Sequence, residues 1–122
     1  MKRLEPQDVI EIIVELGNKL DGNNKAYVEL TERYADKKRT YAMALASKMT
    51  ALKLDGFPVT VIPELAKGDK IVADARYDRD VSEGVMKACK NSLDVIHSQL
   101  DGYRSIFAYE RECSKREGAY SP

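Results

Sequence analysis

Between Met86 and Phe107 the apolar positions Met86, Cys89, Leu93, Ile96, Leu100, Tyr103 and Phe107 succeed one another at alternating spacings of three and four. Positions between them, such as Lys87, Lys90, Asn91, Asp94, Ser98 and Gln99, are polar. This is a heptad seam on one helix face. In water that face would stay exposed, so another helix of the same chain or of a second copy has to cover it. Ala75, Tyr77 and Val81 extend the apolar surface upstream, and the pattern predicts one helix over about residues 70–116 with a tail at 117–122. Gly84 and Gly102 lie inside it at a cost of about 1 kcal/mol each relative to Ala, which points to close packing against a neighbour.

Two earlier blocks read as helices. The first, over about residues 7–20, has Pro6 at its start and Glu5 and Asp8 beside the positive end of its dipole. Val9, Ile10, Ile13, Leu16 and Leu20 form its apolar side, and Ile12 and Val14 widen it. Asp21-Gly22-Asn23-Asn24 is turn chemistry and is expected to end it. The second, over about 25–54, carries Tyr27, Leu30, Tyr34 and Tyr41 on one face before the phase shifts to Leu45, Met49 and Leu52. Asp55-Gly56 reads as a left-handed stop. Val59 to Ile62 resembles a strand, but a lone strand has no partner, so a turn is preferred in which Thr60 caps a short helix over 61–67. Gly68 and Asp69 then allow a break.

At 1.5 Å per residue the second helix would measure about 45 Å and the last nearly 70 Å, too unequal to pair end to end. The expected fold is therefore all-α: a long antiparallel helical hairpin with an additional N-terminal helix, completed by oligomerisation and forming one domain over 1–122.

Composition narrows the function classes. Lys and Arg number 20 and Asp and Glu 20, so the formal net charge is zero, unlike a domain built mainly to hold nucleic acid or anionic membrane. No apolar run approaches the roughly 20 residues that span a bilayer, and no apolar segment follows Lys2-Arg3, so a cytoplasmic protein with no membrane partner is expected. Cys89 and Cys113 share a predicted helix about 36 Å apart and cannot bridge each other there.

Each candidate for chemistry has a plainer explanation. His97 follows Asp94 as D-x-x-H, like the carboxylate–histidine motifs of di-iron bundles, but it is the only histidine and lies beside the seam, which favours a surface residue. Glu11 with Glu15, Glu29 with Glu32, and Asp74 with Asp78 share helix faces. Such pairs hold Mg²⁺ in all-α nucleotide pyrophosphohydrolases, yet Arg33, Lys37, Arg76 and Arg79 among them favour solvated ion pairs. No cysteine–histidine pair close in sequence, G-x-S-x-G or phosphate-binding glycine loop occurs, and no cofactor is expected. Arg33, Lys37, Lys38 and Arg39 make the second predicted helix locally basic, a possible nucleic-acid contact, with Lys48 and Lys53 further along. The tyrosine row is a stacking platform for bases on one reading and a seam with wet hydroxyls on the other. The second is preferred, because a platform normally comes with excess positive charge.

Thr60, Val61, Glu64 and Ala66, then Ala75, then Leu100-Asp101-Gly102-Tyr103-Arg104-Ser105 and Glu110 resemble the pattern of a loose group of small phage- and prophage-encoded helical proteins. The resemblance implies a helical hairpin made inside a bacterial cell, from genes near phage replication or recombination functions, and supplies no catalytic residues. The expected function is thus that of a non-enzymatic interaction protein, a phage or prophage accessory factor. Its expected partners are a second copy and another protein, met through the helix seams. A DNA-associated accessory using the basic face and an Mg²⁺-dependent pyrophosphohydrolase are the alternatives.

Overall fold

The computed structural model describes residues 5–120, with side chains described from 5 to 116. Lys2-Arg3 and the last two residues of the expected tail lie outside that range. The described residues form three helices: α1 (Pro6–Leu54), α2 (Ile62–Lys67) and α3 (Lys70–Tyr120). Among the described residues there is no strand. The long helices, of 49 and 51 residues, pack against each other as an antiparallel hairpin.

The separate N-terminal helix is the main correction. Asp21-Gly22-Asn23-Asn24 does not interrupt the chain, and the helices expected at 7–20 and 25–54 are one. Leu20, Asn23 and Tyr27 keep the three–four spacing, so Asn23 occupies a seam position and the apolar rows on either side of it are in phase. Its amide Nδ2 donates to Ser92 Oγ at 3.1 Å, and its backbone carbonyl accepts from Cys89 Sγ at 3.6 Å. A break would leave four N–H and four C=O groups to be capped, whereas Gly22 in mid-helix costs only about 1 kcal/mol. The unequal-length problem disappears with the break. The apolar run from Leu93 to Leu100 is buried within the chain.

The chain forms two compact units. In one, the α1 segment up to Ala26 lies with α3 from Cys89 onward, and Val9, Leu93, Ile96 and Leu100 are its buried residues. The start of α1 is fixed locally: Pro6 takes the first helical position and the Glu5 N–H donates to Asp8 Oδ2 at 3.1 Å.

The other unit, Tyr27–Ala88, contains the turn. Gly56 has φ +87°, and the Phe57 and Gly56 N–H groups return to the carbonyls of Leu52 and Lys53, a Schellman ending. Leu52, Ile62 and Ala66 form a buried cluster with Leu45 and Met49 packed on it. Val61, not Thr60, is the N-cap of α2, and no side chain caps it. Ile62 and Pro63 open the helix, and proline in a first turn needs no N–H partner. Asp69 is the N-cap of α3: its Oδ2 accepts from the Ile71 and Val72 N–H groups at 3.1 and 3.3 Å, and its Oδ1 lies 3.5 Å from Lys48 Nζ. The backbone of α3 continues to Tyr120, past the expected end at Arg116.

Candidate interaction surface

The residues singled out in the sequence fall into two sets. On α3, Leu93, Ile96 and Leu100 are buried, while Met86, Cys89, Tyr103 and Phe107 are half-buried; on α1, Tyr27, Leu30, Tyr34 and Tyr41 are half-buried. These positions face the opposite helix of the hairpin, so they hold the fold and present little to a partner.

The tyrosine row is partly sealed by charge from α3. The Arg79 guanidinium carbon sits 4.4 Å from the Tyr41 ring centroid, over the face a stacking base would need. Asp80 accepts from Arg79 Nε and Nη2, at 3.0 and 2.9 Å, and the hydrogen bond raises the guanidinium pKa further above its ordinary value. One turn on, Lys87 Nζ lies 2.7 Å from Glu83 Oε1. The Lys87 hydrogen bond holds the Glu83 carboxyl below the usual range, with a smaller contribution from Tyr34, and Lys87 is raised in return.

The basic residues do not form one face. Lys37, Lys38 and Arg39 are consecutive and diverge by about 100° each around the helix, so Lys37 turns toward the seam while Lys38 and Arg39 point to solvent. Arg39 is held by Asp36 at 2.6 Å. Arg33 is exposed and lies one turn from Lys37, while Lys38 and Arg39 diverge from that pair around the helix. His97 is exposed, and among the described residues no group of three His, Cys, Asp or Glu side chains could hold a metal ion. Both cysteines are free thiols.

What sequence reasoning did not locate is the exposed apolar surface of the turn. Leu54 is 83% and Val59 73% exposed, and Phe57, Val61 and Leu65 are also open to solvent. Of these, Val59 lines a shallow groove together with Met49, Thr50, Lys53, Ile62 and Pro63. The run Val59-Thr60-Val61-Ile62 contained the signal, but only Ile62 is turned inward, onto Leu52 and Ala66. Large apolar side chains on a turn are unusual, since turns are normally polar. No helix among the described residues is long and apolar enough to cross a membrane. No protein-family model, curated protein or solved structure matches this chain.

Proposed function

We propose that this chain is a non-enzymatic interaction protein whose turn, Leu54 to Leu65, inserts into an apolar groove on another protein. The observation that carries the reading is exposure on a rigid frame. Leu54, Phe57, Val59, Val61 and Leu65 face water, although the Schellman ending and the Leu52–Ile62–Ala66 cluster fix the backbone that bears them. Covering a side chain of this size contributes about 1.5–3 kcal/mol, and a preorganised turn loses little entropy on docking. A few aromatic and aliphatic anchors of this kind carry most of the energy of many interfaces, with Phe57 the natural central anchor. The resemblance to phage-encoded hairpins supports a role as an accessory factor in a bacterial cell.

The test places a photo-activated cross-linking side chain at Val59 of the full chain, expressed in bacterial cells, with the same group at exposed Asn24 as control. The reading predicts one discrete adduct, heavier than a self-adduct, that forms only from position 59 and disappears with Phe57→Ser. Identical patterns from both positions, or self-adducts alone, would overturn it. Salt-sensitive retardation of DNA by the wild type, abolished by Lys38→Gln and Arg33→Gln, would favour the DNA-associated alternative instead.

A further inference from the structure

Within the unit that contains the turn, Tyr27–Ala88, α3 carries a second row at heptad spacing beside its buried one. Ile71, Asp74, Asp78, Val81 and Val85 follow one another at alternating spacings of three and four, and all five are exposed. Ile71 is 73%, Val81 47% and Val85 46% exposed. On α1 of the same unit a matching row, Lys37, Thr40, Ala44, Ser47 and Ala51, keeps the same spacing. Lys37, Thr40 and Ala44 from one row and Ile71, Asp74 and Asp78 from the other line a single groove between the helices. Two heptad rows flanking a groove on a hairpin make the seat of a third helix, and the small side chains of the α1 row let its axis come close.

Charge identifies the occupant. Of the acids from Asp69 to Ala88, Asp69 pairs with Lys48 at 3.5 Å, Asp80 with Arg79 at 2.9 Å and Glu83 with Lys87 at 2.7 Å. Asp74 and Asp78 are left over, and neither makes an ion pair among the described residues. They are also the two residues that interrupt the aliphatic row. Lys37 is the one base in the groove lining and is itself unpaired among the described residues, so two carboxylates against one ammonium leave the groove negative. Arg33, a turn away on α1, lies outside the lining. An apolar or acidic neighbour would strip both carboxylates of water and give them no partner, which is unfavourable, whereas a basic side chain at that level supplies one. The same row of a second copy, laid antiparallel with its ends aligned, would set Asp78 against itself, so a second copy does not fit.

We propose that this groove takes a third helix, an amphipathic segment of a partner protein with aliphatic residues for Ile71, Val81 and Val85 and basic residues over Asp74 and Asp78. From Ile71 to Val85 the row is about 21 Å long, roughly four helical turns, so a segment of about 18 residues covers it. A contact of that size belongs to the weak, transient class of interfaces. Its charges then decide which helix is accepted and how fast it arrives more than how tightly it is held. The groove shares no residue with the turn from Leu54 to Leu65 and does not depend on what the turn binds.

The test titrates the full chain into a capped, fluorescently labelled helical peptide of about 18 residues with two arginines one turn apart in its leucine row. A second peptide carries glutamates at those two positions. By fluorescence anisotropy the arginine peptide should bind saturably below about 1 mM, at least about tenfold tighter than the glutamate peptide, and should weaken as salt rises. Asp74→Asn combined with Asp78→Asn should cost the arginine peptide about tenfold, while Lys37→Met, which removes the competing cation, should tighten it. Asp94→Asn, at an exposed position of the other unit, and Phe57→Ser in the turn should leave binding unchanged. The substituted groove positions 74 and 78 are exposed, so the double variant should keep the wild-type circular dichroism. No saturable binding of the arginine peptide, equal binding of the two peptides, or indifference to the double asparagine variant would each overturn the proposal. Loss of binding in Phe57→Ser would also overturn it, by moving the site to the turn, whose own reading is decided separately by the cross-link from position 59.

Discussion

Ile96 is where the hairpin should be most sensitive. It is 2% exposed, between Leu93 at 7% and Leu100 at 3% on the same face of α3. Ile96→Ala deletes three buried carbon groups worth about 0.8 kcal/mol apiece, to which a cavity term is added, for a loss of about 3 kcal/mol. For a chain of this size that lowers the melting temperature by roughly 10 °C. The assay is urea unfolding followed by circular dichroism at low protein concentration, with His97→Ala as the adjacent exposed control. The midpoint should fall for Ile96→Ala with the slope unchanged, and His97→Ala should stay within about 0.5 kcal/mol of wild type. Equal effects at positions 96 and 97 would refute the seam as the source of stability.

Three further outcomes follow from local structure. Gly22→Ala should stabilise by about 1 kcal/mol in the same assay, because the site is mid-helix and open, whereas a turn there would make the change neutral or harmful. Asp69→Ala should cost about 1 kcal/mol by removing the α3 cap, and Asp69→Asn should recover most of it while losing the Lys48 pair. The Glu83 carboxyl should titrate below an ordinary glutamate in NMR and move back up in Lys87→Met. Since its folded pKa is depressed, its contribution to stability is present above the ordinary glutamate range and is lost as the pH falls through the folded pKa.

The α3 seam was legible because seven apolar positions keep one period, and the left-handed ending at Gly56 because glycine follows the last apolar residue of its helix. Asp21-Gly22-Asn23-Asn24 misled because its local chemistry favours a turn, while the deciding fact is longer in range: Asn23 holds the slot between Leu20 and Tyr27 and bonds to Ser92 on the other helix. The cap of α3 could have been read from Asp69 standing before Lys70, an acid at the position where N–H groups lack partners. Exposure of Leu54, Phe57 and Val59 had no periodic signal, since turns have no repeating face. The row Ile71, Asp74, Asp78, Val81 and Val85 is visible in the sequence by its alternating spacing, but its meaning depends on knowing which face α1 already covers.

Whether one chain closes the seam by itself can be measured directly through Asn23 and Cys89. Asn23→Cys in a Cys113→Ser background places two thiols at neighbouring seam positions of α1 and α3, beside the existing contact from Cys89 Sγ to the residue 23 carbonyl. Mild oxidation at low concentration should give one product, a disulfide-closed chain of monomer mass on a denaturing, non-reducing gel. A covalent dimer as the main product would show that α1 and α3 pair between copies, and would contradict the account.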